Sequence, residues 1–213
     1  AKQKKSMTKC LKRCMCQLFE TIKCSNGKLF NMEFHQARFE KSCMDFFGIR
    51  TNTELEKVVE IPEIAKTGLF RCRITYSNKI EKIEFIPHQY RKIKCLKIIE
   101  GNDIDYQFKY SDRETLNRLF EQRGNCDDLI IVKNGLITDS SNANIVFFDS
   151  EHWWTPDTPL LPGTQRARLI TSGIIRECRI TVNDLNSFLK AGLINAMNNF
   201  EEMPQIDISE LFL

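Results

Sequence analysis

The chain has 213 residues, 28% of them charged, and a formal net charge of +3 at pH 7. This length supplies one large domain or two small ones, and the near balance of charge argues against a partner recognised mainly by electrostatics, such as nucleic acid. No apolar run has membrane-spanning length and none is typical of a signal peptide, so we expect a cytoplasmic protein that binds neither membrane nor nucleic acid.

The first sixteen residues combine positive charge with cysteine. Six lysine and arginine residues between Lys2 and Arg13 favour a solvated tail, although a basic arm of this kind could also contact nucleic acid or a membrane. Cys10, Cys14 and Cys16 have a CxxxCxC spacing that matches no zinc pattern without a further pair or a histidine downstream. We therefore predict no metal site, and we expect reduced thiols that behave as small apolar groups.

The first half of the chain predicts strands around one long helix. Gln17–Cys24 alternates as a strand, and Asn26-Gly27 favours a hairpin turn because this pair accepts positive φ, which makes Leu29–Met32 the returning strand. Apolar residues at helical spacing predict a helix over Glu33–Phe47, ended by Gly48. Further predicted elements are partly helical Thr53–Lys66 and strands at Leu69–Ser77, Lys79–Pro87 and Lys92–Ile99.

The polar segment Glu100–Asp105 predicts a boundary between two lobes, residues 1–104 and 105–213. In the second lobe an amphipathic helix is predicted at Ser111–Arg123, and Pro162 favours a helix start ahead of Gln165–Ser172. The predicted class is α+β, with a smaller N-terminal and a larger C-terminal lobe. The other predicted elements are strands at Asp128–Val132, Leu136–Asp139, Asn144–Asp149, Ile174–Ile180, Gly192–Met197 and Gln205–Ile208, a turn at Asn134-Gly135 and a short helix at Asn183–Lys190.

Five short segments carry residues suited to a phosphorylated aldehyde cofactor. An arginine grips phosphate oxygens with a fixed fork, a lysine amine attacks an aldehyde, and backbone N–H groups at a helix N-terminus bind phosphate. In chain order the segments are His35–Phe39 (HQARF), Lys109–Arg113 (KYSDR), Thr138–Asn144 (TDSSNAN), Leu161–Arg166 (LPGTQR) and Ile194–Asn198 (INAMN).

In this order the segments resemble the class IV aminotransferases. These are fold-type IV enzymes that use pyridoxal 5'-phosphate (PLP), and they include branched-chain and D-amino-acid aminotransferases and aminodeoxychorismate lyase. The resemblance extends from about Phe19 to about Ile208. It implies a two-lobed fold, a PLP cofactor and a homodimer. It also implies that Arg38 clamps the cofactor phosphate and that Lys109 is the Schiff-base lysine, which carries protons during the reaction.

The resemblance implies the remaining cofactor contacts as well. Asp139 stands where glutamate is usual, and its carboxylate would pair with the pyridine nitrogen and keep the ring an electron sink. Gln165 stands where threonine is usual. The residues implied to hold the phosphate, beside Arg38, are Gly163, Thr164 and Gln165 at a helix N-terminus and the backbone of Asn195, Ala196 and Met197.

The substrate pocket departs from the family patterns more than the cofactor site does. Phe19 stands where D-amino-acid aminotransferases have tyrosine, and Tyr76 stands where the lyase branch has an arginine for a substrate carboxylate. Arg71 and Arg73 lie earlier on the same strand and share one of its faces, so either could replace that arginine, and the alternative is that both face solvent. We expect the substrate-binding residues among these four.

The reaction is predicted less specifically than the cofactor, since cofactor residues do not choose a substrate. The segments Phe19–Ile22 and Asn195–Met197, together with the short length, favour similarity to aminodeoxychorismate lyase, which forms 4-aminobenzoate and pyruvate from 4-amino-4-deoxychorismate. A class IV aminotransferase acting on branched-chain or D-amino acids is the alternative. A PLP-binding relative without catalytic activity and a protein that binds nucleic acid through its basic N-terminus remain further alternatives.

Overall fold

The computed structural model describes residues 16–212 and contains two compact units. The first unit consists of the described residues up to Gln89 together with Phe108–Asp112, and the second of Tyr90–Gln107 together with the described residues from Arg113 onward. The predicted boundary at 104/105 differs from this division. The segment around Lys109 joins the first unit because Phe19 N donates to Lys109 O (2.9 Å) and Ser111 N donates to Gln17 O (2.8 Å).

A four-stranded antiparallel sheet organises the first unit, with strand order β2-β1-β3-β4. Its longest helix, α1, continues as a π-helical turn and ends at Gly48, whose φ of 72° is the left-handed conformation that the sequence predicts there. The elements are β1 (Leu18–Ser25), β2 (Lys28–Leu29), α1 (Met32–Ser42), the π turn (Cys43–Phe47), α2 (Leu55–Val58), a 3₁₀ turn (Glu63–Lys66), β3 (Leu69–Tyr76) and β4 (Ile80–Pro87).

The two faces of this sheet have different compositions. Successive strand residues point to opposite faces. Leu18 and Ile22 of β1 and Cys72 and Ile74 of β3 therefore share one face, where they form the core of the unit with Phe39 of α1. The opposite face carries charged and polar residues of β1 and β3: Thr21, Lys23, Arg71, Arg73 and Thr75.

The second unit contains two sheets. A five-stranded sheet has the order β10-β9-β8-β11-β12, and a four-stranded sheet has the order β13-β5-β6-β7. Ile130 and Phe147, both completely buried, belong to the core that the sheets share. The strands are β5 (Leu96–Glu100), β6 (Asp128–Lys133), β7 (Leu136–Ile137), β8 (Asn144–Phe148), β9 (Trp153–Pro156), β10 (Ile175–Cys178), β11 (Lys190–Ile194), β12 (Gln205–Asp207) and β13 (Leu211–Phe212), and the helices are α3 (Glu114–Glu121), α4 (Thr164–Thr171) and 3₁₀ turns at Val182–Ser187, Phe200–Glu202 and Ile208–Glu210.

Most of the predicted elements are present, and the two Asn-Gly turns are the clearest examples. Asn26 and Gly27 have φ values of 47° and 73°, and Asn134 and Gly135 have 52° and 78°, so the Asn-Gly pairs form the predicted turns. Four assignments are wrong or missing. Met32 begins α1 instead of ending a strand, Lys190 begins β11 instead of ending a helix, and neither β9 nor β13 is among the predicted strands.

No helix within residues 16–212 is long and apolar enough to cross a membrane. The same residues contain no cluster of three or more histidine, cysteine, aspartate or glutamate side chains that could hold a metal ion. Cys10 and Cys14 of the CxxxCxC pattern lie outside the described residues.

Candidate active site

In the first unit, a buried carboxylate fixes the arginine that the sequence predicts as a phosphate clamp. Glu20 of β1 accepts hydrogen bonds from Arg38 Nε (2.8 Å) and Arg38 Nη2 (2.5 Å), so the guanidinium binds it with two parallel contacts. His35, one turn earlier on α1, contacts the same carboxylate through Nδ1 at 2.6 Å. The spacing of His35 and Arg38 puts both side chains on one face of α1, above Glu20.

The charge of Glu20 is stabilised although the side chain is completely buried. Burial alone would raise the pKa of this carboxyl, but the adjacent Arg38 and the hydrogen bond from His35 lower it to about 2. The pKa of His35 is lowered in turn, because burial disfavours its charged form and Arg38 and Lys109 add positive charge nearby. The geometry therefore contains a Glu20 carboxylate and an Arg38 guanidinium held in one orientation, which suits binding of a fixed anion.

Lys109 lies close to Phe19 in the same unit. Its Nζ is 4.9 Å from the centroid of the Phe19 ring, and the Arg73 guanidinium is 3.9 Å from that centroid. Cations are attracted to the electron-rich ring face. The structure therefore brings together the predicted Schiff-base lysine and two of the predicted substrate residues, Phe19 and Arg73.

Arg71 stands next to Lys23 in the paired register of β1 and β3. Its Nε is buried without a hydrogen-bond partner among residues 16–212. The positive charges of Arg71 and Lys23 also contribute, after burial, to the lowered pKa of His88. A buried guanidinium N–H with no acceptor is energetically costly, so this position suits an anionic group supplied by a ligand.

Tyr76 occupies a different environment from Arg71 and Arg73. Its side chain is 1% exposed and packs edge-to-face on Phe39, with ring centroids 4.8 Å apart. Burial raises the pKa of Tyr76, and its hydroxyl hydrogen-bonds Ser42. A β-bulge at Thr75/Tyr76 interrupts the register there. Tyr76 therefore packs in the core of the first unit, and this position gives no support to its predicted contact with substrate.

In the second unit Asp139 is a buried carboxylate surrounded by neutral donors. Its Oδ1 accepts from Asn144 Nδ2 (2.7 Å), its Oδ2 accepts from Leu161 N (2.9 Å), and Leu160 N is a further donor. Burial raises the pKa of Asp139, and these hydrogen bonds and the charge of Arg166 offset only part of that rise. The net result is a pKa of about 6. A carboxylate offers about four acceptor positions, so Asp139 has the capacity to accept an N–H donor from a ligand as well.

The side chain of Asn144 packs directly against the start of α4. Gly163 is the N-cap residue of α4, and a Cβ built on it would lie 2.0 Å from Asn144 Oδ1. Thr164 and Gln165 follow as the first buried residues of the helix. Because backbone N–H groups at a helix N-terminus point outward without intrahelical partners, this arrangement suits an anion such as phosphate.

Gln165 connects the start of α4 to the predicted loop at Asn195, Ala196 and Met197. Gln165 Nε2 donates to Asn198 O (3.2 Å), and its Oε1 accepts from Arg168 Nε (3.0 Å). Within the loop, Met197 N donates to Asn195 Oδ1 (2.9 Å), which closes a turn. The side chain of Gln165 therefore braces this loop, and the N–H of Met197 already has an acceptor.

Two residues of this geometry are not among the predicted site residues. Glu20 lies in the predicted first strand and in the lyase-like segment Phe19–Ile22, and Asn144 ends the segment Thr138–Asn144. A charged residue in the middle of an apolar strand, Leu18–Ile22, was the available signal for Glu20, since an isolated charge is seldom buried without a partner.

Comparisons with known proteins place these features in context. The model of the family described as amino-transferase class IV matches residues 107–201. An uncharacterized protein of Haemophilus influenzae is 40% identical over 186 residues, which cover 86% of this chain and 99% of that protein.

Two solved structures extend the comparison. A protein of Haemophilus somnus 129PT, provisionally assigned as a 4-amino-4-deoxychorismate lyase, is 36% identical with a TM-score of 0.82, covering 87% of this chain and 98% of that one. The PLP-bound form of a hypothetical aminotransferase from Mycobacterium tuberculosis is 16% identical with a TM-score of 0.74, covering 89% of this chain and 80% of that one. At that identity the second similarity concerns the fold alone. The two-lobed α+β fold predicted from the sequence is confirmed.

We predict that Glu20→Gln weakens the dependence of stability on acid pH. The pKa of Glu20 falls from its ordinary 4.5 to about 2 in the folded protein. Above pH 4.5 the ionised Glu20 therefore contributes roughly 3 kcal/mol to the free energy of unfolding, and this contribution is lost as the pH falls toward 2. Urea unfolding between pH 2 and 6 should show this loss in the wild type and not in the variant. Glu33→Gln, an exposed carboxyl on α1, should behave as the wild type; equal pH profiles for all three proteins would contradict the prediction.

Asp139 should produce the opposite pH dependence in the cofactor-free protein. Because the pKa of its folded form rises from 3.8 to about 6, the folded state binds a proton more readily than the unfolded state. Stability is then lost as pH rises from about 4 through 6, by roughly 3 kcal/mol. The free energy of unfolding of Asp139→Asn, measured by urea at pH 4.5 to 7.5, should lack this loss. Asp207→Asn, an exposed change in the same unit, should retain it, and retention in both variants would refute the assignment.

Proposed function

Because the chain belongs to the amino-transferase class IV family, we propose that it is a PLP-dependent enzyme acting on an amino-bearing carboxylic acid. We propose further that it is a lyase that converts 4-amino-4-deoxychorismate to 4-aminobenzoate and pyruvate. The observation that supports PLP most directly is the buried Asp139 carboxylate, which is bound mainly by neutral N–H donors. The similarity to the Haemophilus somnus protein supports the lyase reaction.

The residues of the second unit fit the ring and phosphate of PLP. Asp139 would accept the N–H of the ring nitrogen, and a nearby positive charge would bring its raised pKa down again, so that the carboxylate stays ionised. The N–H groups of Gly163, Thr164 and Gln165 would hold the phosphate at the start of α4. Bound PLP supplies a ring that withdraws electrons from the substrate carbon next to the nitrogen.

The loop at Asn195, Ala196 and Met197 has a supporting role in this proposal. The turn closed by Asn195 Oδ1 uses the Met197 N–H, and Gln165 Nε2 fastens the neighbouring Asn198. Tyr90 adds a third attachment, since its hydroxyl donates to Met197 O (3.1 Å). These contacts keep the loop in place beside the start of α4. Gln165 thus stabilises the loop through its side-chain amide, and the backbone N–H of Gln165 would still be able to bind the phosphate.

Residues of the first unit would supply the amine and the phosphate clamp. Lys109 is proposed as the amine that bonds the PLP aldehyde and that afterwards moves protons through Nζ. Arg38 is proposed as the clamp. Glu20 binds the Nε and Nη2 atoms of Arg38, so the phosphate would bind through Nη1. Glu20 is thus a positioning residue: it orients Arg38 and would not itself contact the cofactor.

The substrate of the proposed lyase carries carboxylate groups, and the polar face of the first sheet could bind one. Arg71 has a buried Nε without an acceptor in the described part of the chain, and Lys23 beside it is itself 7% exposed. Arg73 contacts the face of Phe19 and would place a second guanidinium on the same side. We propose Arg71 as the main carboxylate ligand, with Arg73 and Phe19 forming the wall of the pocket. A homodimer and a cytoplasmic location complete the proposal, and both rest on the family resemblance.

The cofactor assignment predicts a visible absorption band when PLP is added to the wild type. Lys109→Ala and Lys109→Arg should not give this band, because neither side chain bonds the aldehyde. Reduction with sodium borohydride followed by peptide mass analysis should locate the cofactor on Lys109 in the wild type. An exposed change, Lys82→Ala on β4, serves as the control. Fixation on another lysine would overturn the role of Lys109, and absence of any band would overturn the PLP assignment.

The reaction is tested by supplying 4-amino-4-deoxychorismate without any 2-oxo acid. A lyase releases 4-aminobenzoate and pyruvate in equal amounts, whereas an aminotransferase requires an amino acceptor for repeated turnover. Arg71→Ala should raise KM by roughly ten- to a hundredfold, since a hydrogen bond between charged groups is lost. Arg71→Lys should recover part of this loss, because it keeps the charge and loses the fork. Turnover only with an amino acid and a 2-oxo acid would favour the aminotransferase, and no turnover with bound PLP would favour a non-catalytic relative.

A further inference from the structure

Two cysteines of the second unit meet outside the candidate active site. Cys95 immediately precedes Leu96, the first residue of β5, and Cys126 comes two residues before Asp128, the first residue of β6. These strands are parallel neighbours, with Leu96 opposite Asp128. Both cysteines are free thiols with partial exposure to solvent.

Backbone hydrogen bonds hold the two cysteine positions side by side. Asp127 N donates to Cys95 O (3.2 Å), and Asp127 Oδ2 accepts from Lys94 N (2.7 Å) and Cys95 N (3.4 Å). The Cys95 thiol reaches Asn125 O at 4.0 Å. Cys95 therefore contacts the residues on both sides of Cys126, so the two cysteines lie on adjacent segments joined by hydrogen bonds.

The Cys95 side chain also affects the Cys126 thiol. Burial, followed by a hydrogen bond with Cys95, raises the pKa of Cys126 to about 11, so this thiol is protonated at neutral pH. Other described thiols, such as Cys24, Cys43 and Cys72, are buried in the core of the first unit and are shielded from oxidants.

We propose that Cys95 and Cys126 are a redox-sensitive pair that forms a reversible disulfide. With hydrogen peroxide as the oxidant, the thiolate of Cys95 attacks a peroxide oxygen and becomes a sulfenic acid while hydroxide leaves, because the Cys126 thiol is protonated. The second thiol then attacks the sulfenic sulfur, an S–S bond forms, and water leaves. Two thiols and one peroxide thus yield one disulfide and two waters. A dithiol reductant reverses the change by thiol–disulfide exchange. This modification site does not depend on the proposed reaction.

The disulfide would fasten a segment that already connects to the turn after Asp139. Arg91 Nη2 donates to Asp127 O (2.8 Å), and Asp128 Oδ1 accepts from Ser141 N (3.3 Å). Arg113 Nη2 in turn donates to Ser141 O (2.7 Å). Closing the loop from Cys95 to Cys126 covalently would restrict the unfolded chain, so oxidation should stabilise the second unit.

The experiment maps the cross-link in the full-length protein. The protein is treated with hydrogen peroxide, its remaining thiols are blocked, and it is digested with trypsin without reductant. Cleavage after Lys94, Lys97, Arg123 and Lys133 should give Cys95–Lys97 joined to Gly124–Lys133, and dithiothreitol should separate the two peptides. Oxidation should also raise the Tm of the wild type by on the order of 5 °C.

Matched variants decide the outcome. Cys95→Ser and Cys126→Ser should each lose the joined peptide and the rise in Tm, whereas Cys178→Ser, which removes another partly exposed thiol, should keep both. The proposal is overturned if either thiol joins a different cysteine, if both end as separate sulfinic acids, or if both stay reduced while Cys178 is oxidised.

Discussion

The hydrogen bonds to the buried Asp139 carboxylate hold the proposed cofactor site of the second unit together. This one group accepts N–H groups from Asn144 on β8 and from Leu160 and Leu161 ahead of α4. The carboxylate thereby fixes the strand against the approach to the helix, and Asn144 in turn leaves room only for glycine at position 163. Neutral donors compensate incompletely for a buried charge, which is why burial raises the pKa of Asp139 to about 6.

Glu20 shows how the same chemical group behaves with charged partners. Both carboxylates are buried, yet the pKa of Glu20 is about 2 and that of Asp139 is about 6. The difference follows from Arg38, which binds Glu20 with two parallel hydrogen bonds, whereas Asp139 is bound mainly by neutral N–H groups. The first arrangement pairs two opposite charges and holds the Arg38 guanidinium in one orientation. The second leaves a buried carboxylate among neutral donors, which supports its proposed pairing with the cofactor ring.

The sequence predicted this architecture where local signals are strong. The turns at Asn26-Gly27 and Asn134-Gly135, α1 with its end at Gly48, and the α+β class were all predictable, because each depends on neighbouring residues. The order of the motifs also predicted Arg38, Lys109 and Asp139 as cofactor-site residues. The partners of these residues were not predictable, since Glu20 is 18 positions from Arg38 and Leu161 is 22 positions from Asp139. The occupied Met197 N–H and the buried Tyr76 depended likewise on packing that no local pattern contains.

Because Phe108–Asp112 belongs to the first unit, this unit cannot complete its fold during synthesis until that segment has been made. The first unit needs this segment to complete its pairing with β1, because Lys109 O and Ser111 N bond Phe19 and Gln17. On the ribosome, residues 16–89 emerge first and must wait until the chain has grown past Asp112 before that edge of β1 is covered. During this interval β1 presents an unpaired edge, of the kind that pairs with other chains. The nascent chain thus has a stage at which association competes with folding, and this stage ends when a short segment from the middle of the chain arrives.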